Sequence, residues 1–126
     1  MKIYITGNKL MNEDNLPHRI LPMLMKQFPE ISFEELDPSE NMPDEELIIV
    51  DTIVGIEGVK VFTDLDSFSS QRIVSPHDYD LLFELRLNKK LGRLRNFTII
   101  GLSPNMDDSQ AFEKVKFEIR NLLKGS

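Results

Sequence analysis

Three carboxylates and one imidazole in this 126-residue chain stand where regular structure should bring them together: Asp14, Asp37, Asp51 and His77. Asp14 lies in the loop after a first apolar strand, and Asp37 closes a second. Asp51 directly follows the apolar run Leu47-Ile48-Ile49-Val50, and His77 ends the helix-start tripeptide Ser75-Pro76-His77. Asp14, Asp51 and His77 make a three-ligand set with open positions, suited to a borderline divalent ion such as nickel, zinc or iron. The chain has no cysteine. Disulfides, thiolate nucleophiles and sulfur-held metal within the chain are therefore excluded, and any ion must be held by oxygen and nitrogen.

An acid placed straight after a buried strand is expected to be partly buried itself, and a buried carboxylate needs a cation or hydrogen-bond donors to stay charged. Taken singly, each residue also has a plainer reading. Asp51 can accept backbone N–H groups of its own loop. His77 can be an ordinary first-turn residue behind a Ser75 cap and Pro76, and Asp14 a cap before Pro17. The set, rather than any member, points to a site. His18, next to Pro17, reads as a surface helix start and is left out. Neither a Gly-x-Ser-x-Gly elbow nor a Gly-rich phosphate loop is present.

Residues 2–6 read as a buried first strand. Ile20, Leu21, Leu24, Met25 and Phe28 then recur at helical spacing from Pro17 to Pro29, with Pro22 placed to bend the run. Residues 30–36 alternate like a strand with one wet face, near a sheet edge. Residues 38–44 hold two prolines and read as surface loop. Leu47 to Val50 is a central strand, Val59 to Phe62 a further one after a turn at Gly55 and Gly58, and residues 64–70 a polar loop. The helix from Ser75 carries Leu81, Leu82, Leu85 and Leu87 inward and stops before Gly92. Residues 97–102 form the last strand. Ala111, Phe112, Val115, Ile119, Leu122 and Leu123 then stripe a final helix over 108–124. Strands alternating with helices predict a single three-layer α/β domain over 1–126: a mostly parallel five-stranded sheet with helices on both faces. In such sheets ligands bind beyond the carboxyl ends of the strands, where these acids fall.

The hydrophobic fraction of 40% and charged fraction of 29% are those of an ordinary globular chain. With a net charge of -6 and scattered basic residues, no nucleic-acid footprint is expected. The densest basic run, Lys89 to Arg95, sits where a helix end favours cations. No apolar run reaches the length of a membrane span, and the opening strand is too short for a signal segment. No membrane insertion and a cytoplasmic location are therefore expected.

The ordered pieces Gly7-Asn8-Lys9-Leu10-Met11-Asn12-Glu13-Asp14, Leu36-Asp37, Ile48-Ile49-Val50-Asp51 and Ser75-Pro76-His77 resemble the nickel–iron hydrogenase maturation proteases over nearly the whole chain. The resemblance implies an endopeptidase that removes the C-terminal extension of a hydrogenase large-subunit precursor after nickel insertion. Asp14, Asp51 and His77 then fall on the family's metal-contacting positions. Asp37 falls on a further acidic position, where it would place the substrate or assist hydrolysis. Nickel would be carried by the precursor's own thiolates, with no stored organic cofactor, and the water would be activated by the metal or by a carboxylate. Pro38-Ser39 and Asn15 stand where the family usually has glycines, which alters how a peptide backbone can approach. The alternative these departures suggest is a non-cleaving, metal-dependent maturation chaperone that binds the precursor.

Overall fold

The computed structural model describes residues 1–6, 15–37, 45–69 and 76–125. Strands β1 (Lys2–Ile5), β2 (Ser32–Glu35), β3 (Glu45–Thr52), β4 (Val59–Phe62) and β5 (Leu94–Leu102) form one five-stranded sheet in the order β2-β1-β3-β5-β4. The four strands other than β4 are parallel, and β4 pairs antiparallel with β5. Helices α1 (Leu16–Gln27) and α4 (Asp108–Lys124) pack on one face, and α2 (Leu65–Ser69) and α3 (Pro76–Lys90) on the other. The chain adopts the three-layer, mostly parallel α/β architecture expected from the alternation of its apolar segments.

Alternation along each strand decides which face a residue serves. Ile3, Ile5, Ile48, Val50, Ile100 and Leu102 join Leu16, Ile20, Leu24, Ala111, Val115 and Ile119 in one cluster under α1 and α4. Tyr4, Leu47, Ile49, Phe97 and Ile99 point the other way, into a second cluster with Phe68, Leu81 and Leu85. The central strands β3 and β5 are therefore apolar on both faces, while β2, at the edge, buries little of itself. That is the edge position its one wet face predicts.

The helix ends follow local chemistry. The side chain of Asp107 accepts the N–H of Gln110 at 2.8 Å and starts α4 at the expected residue. After α3, Gly92 adopts φ +74°, the Arg93 N–H reaches the Asn88 carbonyl and the Gly92 N–H that of Lys89. This paired closure needs a left-handed residue, which glycine supplies without a Cβ penalty.

Three expectations are corrected. Residues 65–69 are not loop but the helix α2. Asp64 accepts the Ser67 N–H at 2.7 Å and the Ser67 hydroxyl at 2.9 Å, and Phe68 is driven under the sheet, edge-on to Phe62 at 5.7 Å. A cap and one buried aromatic ring outweigh a polar composition. Leu87 points outward at 40% exposure, and Asn88 takes the inward place in phase with Leu81 and Leu85, its Nδ2 donating to the Glu84 carbonyl at 2.8 Å. Met25 likewise faces outward, so α1 buries Leu16, Pro17, Ile20 and Leu24.

Candidate functional site at the carboxyl end of the sheet

Two short connections place the helix starts. α3 ends at Lys90, and three residues separate it from the start of β5 at Leu94. Since Leu81, Leu85 and Asn88 bury along its length, α3 runs back over the sheet antiparallel to β5. Its 15 residues span about 22 Å, comparable to the strand beneath, so its first turn at Pro76 and His77 lies toward the carboxyl ends of the strands. By the same reasoning α1, which leads back to β2, begins at that end on the opposite face.

Asp51 lies at the centre of this edge. It does not follow β3, as its sequence position suggests, but belongs to it: the strand continues to Thr52, and Asp51 lies in register with Gly101 of β5. The ladder extends because β5 runs on to Leu102 and keeps supplying backbone partners. Inside the strand, alternation commits the Asp51 side chain to the face of Leu47 and Ile49, which is the face carrying α3. Asp51 is 0% exposed.

One partner of this buried acid is a residue that the sequence alone does not single out. Thr6, directly after β1 and itself buried, donates its hydroxyl to Asp51 Oδ1 at 2.6 Å. The same Oγ1 is 3.4 Å from the Val50 carbonyl. A hydroxyl carries one proton, and the shorter distance, within the range of charge-assisted O–H···O⁻ bonds, assigns it to the carboxylate. The Thr6 N–H meanwhile continues the β1–β3 ladder to the Val50 carbonyl at 3.1 Å. The available signal was a hydroxyl closing an apolar strand, but it becomes informative only once β1 and β3 are known to be neighbours.

On the other side of Asp51, Gly101 keeps the space above β5 open for Ile53. A Cβ at Gly101 would lie 2.6 Å from Ile53 Cδ1 and 3.3 Å from Ile56 Cδ1. Asp51 is thus bounded by a hydroxyl donor toward β1 and by packed isoleucines toward β5.

Asp37 is exposed, two residues beyond the end of β2, and β1 stands between its strand and β3. Adjacent strands are about 4.8 Å apart, so the strands bearing Asp37 and Asp51 are separated by roughly 10 Å. Asp14 lies outside the described residues, as does the side chain of His77. Among the described residues no three His, Asp or Glu side chains gather as a metal-holding group. His18, set aside from the sequence, pairs at 3.5 Å with Glu35 of β2. A shallow cleft of about 290 Å³ opens elsewhere, lined by Met1, Lys2, Tyr4, Glu46 and Ile48. It lies at the amino end of the sheet, where β1 and β3 have not yet paired, away from the acids.

A mostly parallel α/β sandwich with a buried acid at the carboxyl edge of its central strands defines the class of fold. Particular solved proteins share this sandwich fold. The hydrogenase maturating endopeptidase HybD from E. coli superposes with a TM-score of 0.63 at 20% identity, covering 96% of this chain and 93% of that one. The solution structure of an endopeptidase from Escherichia coli gives a TM-score of 0.64 at 20% identity with the same coverage. The Hydrogenase 3 maturation protease gives 0.56 at 17% identity, covering 91% of this chain and 86% of that one. The fold is therefore that of the hydrogenase maturation endopeptidases. No family model matches the chain, and no curated protein sequence does.

Proposed function

We propose that this chain is a maturation endopeptidase that removes a C-terminal extension from a nickel–iron hydrogenase large-subunit precursor after nickel insertion. The observation that carries this reading is a fully buried carboxylate, Asp51, at the carboxyl edge of a fold shared over 96% of the chain with HybD. Burial without water is costly for a carboxylate. A cation arriving with the substrate would offset that cost, and an acid held this way suits a cation-binding role.

In this reading Asp51, Asp14 and His77 are the chain's ligands to nickel that the precursor carries in its own cysteine thiolates. Oxygen and imidazole donors alone hold a free ion modestly, and the partner's softer thiolates complete the set. Nickel-loaded precursor then docks more tightly than empty precursor. Fixing the metal end of the substrate brings the scissile peptide to the carboxyl edge of the sheet and replaces a loose encounter by a positioned one. Asp37, exposed beside that edge, takes the proton of the attacking water or orients the peptide.

The test is incubation with nickel-loaded and nickel-free large-subunit precursor, followed by mass measurement of the precursor. Shortening of the loaded form alone supports the reading. Equal shortening of both forms removes the nickel requirement, and shortening of neither removes the peptidase assignment.

A further inference from the structure

We propose that Thr6 is a positioning residue for the metal-binding carboxylate of Asp51, an inference that rests on the reading of Asp51 as a nickel ligand. A carboxylate on a strand has two free side-chain torsions, and to meet an incoming ion with one particular oxygen it must be held in one rotamer. Alternation fixes the face on which Asp51 stands but not the rotation of its carboxyl group. The Thr6 hydroxyl supplies that second constraint at 2.6 Å. Thr6 is itself fixed by its backbone bond to Val50 and by its burial. Among the described residues its proton has one competing acceptor, the Val50 carbonyl at 3.4 Å, which is too distant to take it from the carboxylate.

The arrangement is directional. Thr6 engages Oδ1 from the β1 side, while Ile53 and Ile56, seated over Gly101, fill the β5 side. Rotation of the carboxyl group is opposed by a lost bond in one direction and by packed methyl groups in the other. Such outer partners of metal ligands are worth about 10–100-fold in metal affinity. A threonine serves better than serine in one respect only: its methyl restricts χ1 and keeps the hydroxyl aimed. Serine should therefore retain most of the effect.

The test is titration of the full chain with nickel(II) chloride alone, read from paramagnetic broadening of backbone amide signals near Asp51. This readout is independent of proteolysis and measures weak binding. Four chains are compared: the native one, Thr6→Val, Thr6→Ser and Asp51→Asn. The expected result is a midpoint raised about 10–100-fold by Thr6→Val, within about threefold of native for Thr6→Ser, and beyond the titration range for Asp51→Asn. If the valine variant does not fold, Thr6→Ala, which leaves room for a water molecule, carries the same expectation. A native midpoint for a folded Thr6→Val or Thr6→Ala chain, with Asp51→Asn impaired, overturns the role of Thr6 and leaves the nickel reading standing. So does equal loss in the valine and serine variants. Nickel uptake by Asp51→Asn equal to that of the native chain, or no uptake by the native chain at all, overturns the nickel reading itself.

Discussion

The two faces of the sheet are built to different specifications. Under α1 and α4 the strands present Ile3, Ile5, Ile48, Val50, Ile100 and Leu102, and the helices answer with Ile20, Leu24, Ala111, Val115 and Ile119. Under α2 and α3 the same strands present apolar residues for most of their length, then Thr6, Asp51 and Gly101 at the carboxyl edge. The first face is apolar packing as far as Val50 and Leu102, with the buried Thr52 beyond Val50 on the same side. The other holds a buried carboxyl group, a hydroxyl donor for it and a missing side chain at a single height of the sheet, a grouping that packing alone does not call for.

The largest expected stability effect lies on the first face. Ile20→Ala removes a fully buried side chain between α1 and the sheet and should lower unfolding free energy by about 2–5 kcal/mol. Below its melting temperature the variant should take up nickel like the native chain. A shifted nickel midpoint in the folded variant would break the division of labour between the faces.

Thr6 and Thr52 permit a sharper contrast, since both are buried and alternation turns them to opposite faces. Thr6→Val strips a donor from a carboxylate and should cost about 1.5–3 kcal/mol in denaturant unfolding. Among the described residues the Thr52 hydroxyl has no hydrogen-bond partner, so Thr52→Val, of the same shape, should be close to neutral or slightly stabilising. Equal losses for the two variants would mean that the Thr6–Asp51 bond contributes nothing particular.

Gly101→Ala tests the wall on the far side of Asp51. Its new methyl meets Ile53 Cδ1 at 2.6 Å in a filled region, and overpacking of this kind costs about 1–3 kcal/mol. The displaced isoleucine should also weaken nickel uptake. Unchanged uptake would show that the β5 side does not constrain the carboxylate.

The smallest effect is expected at Asp64, far from the site. Backbone and side-chain hydrogen bonds from Ser67 hold its carboxyl below the ordinary value of 3.8. A lowered folded value means that the cap contributes fully above 3.8 and is lost as pH falls through the folded pKa. Acid titration followed by NMR should therefore show α2 fraying below that range while β3 and β5 persist. Simultaneous loss of α2 and the central sheet would contradict a purely local cap.

Much of this arrangement is legible in the residues. The stripe from Ala111 to Leu123, bracketed by acids and Lys124-Gly125, locates α4 to the residue because caps and period agree. The five apolar runs give the strands, and the wet alternation of residues 32–35 gives the edge. What escapes is set by tertiary contact. Nothing local announces α2, since a single buried ring, Phe68, holds it, and the inward turn of Asn88 in place of Leu87 follows from the phase in which α3 meets the sheet. Asp51 is identifiable by its type and place, but its inclusion in β3 depends on the length of β5, and its pairing with Thr6 depends on strand order. Neither property is encoded near Asp51 itself.

The most direct test of the proposed activity is the mass of nickel-loaded hydrogenase large-subunit precursor after incubation with the native chain and with Asp51→Asn. The native chain should shorten the precursor by its C-terminal extension, and the folded Asp51→Asn variant should leave it at full length. Full shortening by Asp51→Asn would contradict the assignment of the buried acid to the site.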